Sequence, residues 1–85
     1  MSNAEQGAVP AEAEHTLDAR GLTCPLPLLK AKQVLNRMQA GEHLRVLATD
    51  PGSVRDFEVF ARQTGHALLE SRADGAEYSY LLRKA

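Results

Sequence analysis

The segment His66–Arg83, HALLESRADGAEYSYLLR, reads as two short strands, His66–Arg72 and Glu77–Arg83, placed around Asp74-Gly75. That dipeptide is favoured in tight hairpin turns because both central positions can take positive φ, so the two strands pair antiparallel. Working outward toward the N-terminus, Gly65 closes a stretch in which Val54, Phe57, Phe60 and Ala61 recur at helical spacing, and Ser53-Val54-Arg55-Asp56 offers a capped start to that helix. Before it, Leu44–Ala48 alternates like a strand and ends in the turn Thr49-Asp50-Pro51-Gly52. From Pro25 to Gln39, Leu28, Ala31, Leu35 and Met38 fall three and four apart with Val34 beside them, leaving Lys30, Gln33, Asn36 and Arg37 on the outer face of a second helix. Gly41 fits the left-handed position past the end of that helix, where Arg37 complements the dipole. Thr16–Ala19 alternates again, and Arg20–Thr23 is a loop. The order is β-α-β-α-β-β. Two helices with one apolar stripe each cover one face of a four-stranded mixed sheet, an α/β (α+β) two-layer sandwich.

The chain has 85 residues, a formal net charge of −1 and one cysteine. At about 100–200 residues per domain this is one small domain. One cysteine excludes an internal disulfide, a CxxC redox pair and a four-thiolate zinc site. No stretch approaches the ~20 apolar residues that cross a bilayer. Residues 1–14 hold Glu5, Glu12 and Glu14 and no Lys or Arg, whereas residues 15–85 hold 10 basic against 8 acidic residues. Residues 1–14 therefore read as a disordered acidic leader, with Ser2-Asn3-Ala4 matching a tag remnant, and residues 15–85 as the folded domain. The leader has neither the basic start nor the apolar core of a secretory signal, which points to a reducing cytoplasm.

Cys24 stands immediately before the first helix, in Thr23-Cys24-Pro25-Leu26-Pro27. Proline suits the first helical position, which makes Cys24 the expected N-cap residue and Pro25, Leu26 and Pro27 the residues that shape the cap. Pro27 has no N–H, so the N–H groups of Leu26 and Leu28 are the remaining donors to the sulfur. The helix dipole and such a hydrogen bond both favour thiolate. The competing reading is an inert, buried cysteine of the kind common in protein cores.

The stretch Leu17–Pro27, LDARGLTCPLP, resembles the signature of the TusA/SirA-like family of sulfur carriers, in which Cys-Pro-x-Pro opens the first helix. The likeness continues through Asp50-Pro51 and Arg55-Asp56 to Tyr80-Leu81-Leu82-Arg83-Lys84. It implies the same β-α-β-α-β-β sandwich, and a catalytic Cys24 that accepts a sulfane sulfur as a persulfide and passes it to a partner cysteine. Family members that serve tRNA thiolation typically carry an acid between the two prolines; here it is Leu26. The family's deliveries also include sulfur oxidation and cofactor sulfuration.

The resulting expectation is a cytoplasmic persulfide sulfurtransferase, a monomer without metal or cofactor other than the sulfur carried on Cys24. Its donor would be a cysteine desulfurase or rhodanese-type protein, and its acceptor a second protein. A lone thiol suits that task, since a second cysteine could release the bound sulfur while closing a disulfide. Arg20, Lys30, Lys32 and Arg37, with no acid between residues 20 and 37, form either a solvated face or a basic patch that docks a partner or stabilises the thiolate; Arg20 and Lys30 are the candidates for that role. A place for Asp50 beside the cysteine follows only from the resemblance; the residues themselves read as a helix-start turn. His15, His43 and His66 lack metal-ligand spacing. Phe57 and Phe60 read as core, and Tyr78 and Tyr80 share one sheet face that is expected to lie under the helices, which leaves a poor surface for nucleic acid. The alternative function is a regulatory binding module whose thiol is incidental.

Overall fold

In the computed structural model, which describes residues 13–85, the order is β1 (His15–Ala19), α1 (Leu26–Arg37), β2 (His43–Ala48), α2 (Ser53–Thr64), β3 (Ala67–Asp74) and β4 (Glu77–Arg83). Residues 1–12 of the expected leader lie outside the described residues. Glu14, at its end, accepts hydrogen bonds from the His43 backbone N–H at 2.7 Å and ring Nδ1 at 3.3 Å.

The sheet runs β1-β2-β4-β3, with β1 parallel to β2 and the other two pairings antiparallel. The C-terminal hairpin forms with its turn one residue later than expected. Asp74 is still paired, with Glu77, so the two turn residues are Gly75 and Ala76. Only Gly75 has positive φ (65°), which is the mirror-type turn that needs glycine at its first central position. A bulge between Leu68 and Glu70 shifts the register.

Both helices pack on one face. Ala31 and Leu35 from α1, Met38 just past its end, and Phe57 and Phe60 from α2 meet Ala19, Leu44, Val46, Ala48, Tyr80 and Leu82 from the strands in one buried cluster. Tyr80 stacks on Phe57 with ring centroids 4.6 Å apart, and its hydroxyl shares a 2.6 Å hydrogen bond with the buried Ser53 hydroxyl. Tyr80 is thus unavailable for stacking on a nucleobase. Ser53 turns inward rather than capping α2; Gly52 holds the cap position and no side chain caps the helix. The helix ends at Gly65 as expected.

Gly41 does not end α1. The chain leaves helical geometry at Met38 (ψ 161°), whose side chain is buried, while Gly41 (φ 91°) sits in the turn into β2. The Leu35 carbonyl accepts from the Met38 N–H at 3.1 Å and from Lys84 Nζ at 2.7 Å, so the end of α1 is closed without a glycine cap. Among the described residues no helix is long and apolar enough to cross a membrane.

At the end of β1, Arg20 donates through Nε and Nη2 to the two oxygens of Asp18, both at 2.9 Å, and through Nη1 to Glu77 at 3.4 Å. This guanidinium holds the Asp18 carboxyl down at about 2. The pair is exposed and contributes little stability, but the sign is defined. A depressed carboxylate stabilises the fold above its unfolded pKa, and the contribution fades as pH falls toward about 2. Arg20→Gln should move the Asp18 titration, followed by NMR, upward toward the ordinary range of about 3.9 without fully reaching it, because the residue 20 backbone N–H still donates to Asp18 Oδ1 at 3.1 Å. An unchanged midpoint would contradict the pairing.

Candidate functional site

Because β1 and β2 are adjacent and parallel, the loops that follow them open at the same edge of the sheet. In open α/β sheets that carboxyl edge is where sites assemble. The two loops are tied together: the Gly21 N–H donates to Thr49 Oγ1 at 2.9 Å. Cys24 rides on the first loop. Asp50 and Gly52 lie on the second, and Asp56 lies in the first turn of α2.

The structure corrects the expected cap. Pro25, not Cys24, occupies the N-cap position of α1 (φ −99°, ψ 16°), and Cys24 lies one residue outside the helix, joined to Pro25 by a cis peptide. The Leu26 N–H donates to Thr23 O at 2.8 Å and is spent in that turn. No side chain caps α1, so neither Leu26 nor Leu28 supplies a hydrogen bond to the sulfur. Pro27 is buried under the helix, whereas Pro25 is exposed.

The partner of the thiol comes from 32 residues away. Cys24 Sγ–H donates to Asp56 Oδ2 at 2.8 Å. Asp50 closes in from the other loop: its Oδ2 is buried without a hydrogen-bond partner, and a side chain at Gly52 would place a Cβ 3.0 Å from that oxygen and 3.8 Å from Cys24 Cβ. Glycine at position 52 thus keeps the carboxylate and the cysteine in close approach.

The electrostatics run opposite to the expected thiolate stabilisation. The hydrogen bond to Asp56 is the largest influence raising the thiol above its ordinary pKa, followed by desolvation, the charge of Asp56 and the charge of Asp50. A carboxylate that accepts from S–H favours the protonated form. Arg20 does not offset this, since its hydrogen bonds run to Asp18 and Glu77 rather than to the sulfur. Lys30 is exposed on α1, and Lys32 stands over the Phe60 ring at 5.7 Å, in a groove of about 200 Å³ that Arg55 and Asp56 also line.

Cys24 itself is exposed, which sets aside the inert core cysteine. Leu26 and Leu29 beside it on α1 are exposed too, at 42% and 43%. The histidines are engaged separately: His15 with Glu42 at 3.0 Å, His43 with Glu14, and His66 Nδ1 accepting from the Ala85 N–H at 2.9 Å.

The site is thus an exposed lone thiol at an open loop junction of a small two-layer sandwich, flanked by carboxylates and exposed leucines. The family model for the sulfurtransferase TusA matches residues 15–84, and the chain belongs to that family. It is 52% identical over 75 residues to a sulfur carrier protein TusA of Allochromatium vinosum, covering 88% of this chain and 99% of that one. It is 61% identical over 61 residues to a putative sulfur carrier protein of Neisseria meningitidis, covering 71% and 82% of the two chains. Among solved structures, a SirA-like protein from Desulfitobacterium hafniense superposes with a TM-score of 0.72 at 27% identity, covering 81% of this chain and 95% of that one. Membership gives the chain a role in sulfur transfer, and that role entails interaction with sulfur donor and acceptor proteins.

Proposed function

We propose that Cys24 accepts a sulfane sulfur from a donor protein, carries it as a persulfide and yields it to a cysteine of an acceptor protein. The observation that carries this reading is the exposed Cys24 thiol at the junction of two loops, in a chain of the TusA family. Passing sulfur between proteins requires both partners' thiols to reach the same atom, and an open edge allows that where an enclosed pocket would not. The cargo is held covalently, so no other cofactor takes part. The donor is a cysteine desulfurase or rhodanese-type protein, acting in the cytoplasm, where a lone thiol stays reduced. Leu26 and Leu29 give partners an apolar contact beside the sulfur, whereas an acidic residue at position 26 would favour a basic surface. The same chemistry serves tRNA 2-thiouridine synthesis, sulfur oxidation or cofactor sulfuration, without direct contact to nucleic acid.

The relay is tested in two stages. The protein is loaded with a cysteine desulfurase and cysteine, separated from the donor, and mixed with a second, thiol-bearing protein. The extra sulfur should leave Cys24 and appear on the acceptor cysteine. Sulfur that stays on the protein, or appears only as free sulfide, would speak against a carrier.

A further inference from the structure

Resting on that reading, we infer that Asp56 is a catalytic acid–base residue of the sulfur relay, taking the proton of Cys24 as the cysteine is loaded and returning it as the cysteine is unloaded. The geometry is in place: the Cys24 S–H already points to Asp56 Oδ2 at 2.8 Å, from the first turn of α2, where the helix backbone fixes the carboxylate. Asp50 sharpens the need. A second carboxylate, with a buried oxygen that finds no partner, lies against Gly52 and Cys24, so a bare thiolate would face two negative charges. Arg55 and Lys32 line the groove that Asp56 borders, but the thiol's own hydrogen bond goes to the acid.

A carrier thiol must act twice, first as nucleophile and then as leaving group, and a proton held on sulfur hinders the first act while an unprotonated, basic sulfur hinders the second. One carboxylate within hydrogen-bond reach serves both. In loading, Cys24 Sγ forms a bond to the outer sulfur of a donor persulfide R–S–SH as the donor S–S bond breaks. The Cys24 proton passes to Asp56, and Asp56 then gives it to the departing R–S⁻. The sum is R–S–SH plus Cys24–SH giving R–SH plus Cys24–S–SH, with no net oxidation. Unloading is the reverse, with the acceptor thiol in the place of R–SH.

The test uses glutathione persulfide as a small donor that needs no protein docking, with loading of Cys24 followed by intact mass at neutral pH. Alkylation by iodoacetamide, which reads thiolate alone, is followed in parallel, and thermal melts check the fold. Asp56→Asn should load about a hundredfold more slowly than the wild type. The same variant should alkylate faster, because the group that holds the proton on sulfur is gone. Asp56→Glu, which keeps the acid, should load within about tenfold of the wild type. An Asp56→Asn variant that loads as fast as the wild type, or faster in step with its alkylation, would overturn the assignment. A wild type that alkylates but never gains sulfur would overturn the carrier reading itself, a result distinct from either.

Discussion

Cys24→Ser is expected to abolish sulfur relay from donor to acceptor while leaving the fold intact. The side chain is exposed, so removing its sulfur opens no cavity, and serine retains a donor for Asp56 Oδ2. A hydroxyl at this position lacks the nucleophilicity to take a sulfane sulfur, and the described residues include no second cysteine to substitute. Thermal melting should therefore shift by no more than a few degrees, and relay, followed as sulfur appearing on the acceptor, should fall to the level of donor and acceptor alone. A variant that relays normally would mean that the domain acts by docking and that its thiol is incidental, which is the competing regulatory reading.

The largest effect on stability is expected at the centre of the core. Phe57 is fully buried, stacked on the equally buried Tyr80, and so it joins α2 to the sheet. Phe57→Ala removes that ring and leaves a cavity that so small a sandwich can only partly close, at a cost of about 3–5 kcal/mol. Small domains have about 5–15 kcal/mol in total, so the variant would retain little margin. Urea unfolding is the measurement, with the midpoint falling sharply at an unchanged slope. A loss below about 1 kcal/mol would show that the Phe57–Tyr80 stack is not where the two layers are joined. The same packing bears on the site, because Asp56 precedes Phe57 and takes its direction from the helix that Phe57 anchors.

How far the sequence reveals this molecule differs between its fold and its site. The period of the apolar residues is a local property, and it yielded every helix and strand in order. The faces of α1 and α2 read from Ala31, Leu35, Met38, Phe57 and Phe60 are the buried ones. Turn details slipped where a neighbouring element decides them: Asp74 keeps a ladder partner and pushes the turn to Gly75-Ala76, and the Met38 N–H and Lys84 Nζ together serve the Leu35 carbonyl at the end of α1. The place of the cysteine at an open loop-to-helix junction is legible in the sequence, but its environment is not. Helix-start reasoning considers only residues next in the chain, and it made Cys24 an N-cap with a dipole-stabilised thiolate. The decisive neighbours arrive from the second β-α unit, Asp50 from its loop and Asp56 from the first turn of α2. One signal could have found them. Two consecutive β-α units with adjacent parallel strands bring both loops to one edge, so an acid in the first turn of the second helix faces a residue ahead of the first.

The net basic charge around residues 20–37 does not set the charge at the sulfur, for a related reason. Arg20 is neutralised by Asp18 beside it and Glu77 across the sheet, while the charges that reach the sulfur are negative. A carrier whose thiol is held protonated at rest is protected from adventitious alkylation and oxidation, since the thiolate is the reactive form. Reactivity then depends on the proton having somewhere to go.

The proposed carriage of sulfur on Cys24 is checked by incubating the protein with a cysteine desulfurase and cysteine, measuring intact mass, and mapping the product by peptide fragmentation without reductant. The expected result is a gain of one sulfur atom, located on the peptide that contains Cys24 and removed by dithiothreitol. No gain with any persulfide donor, or a gain that maps elsewhere, would contradict it.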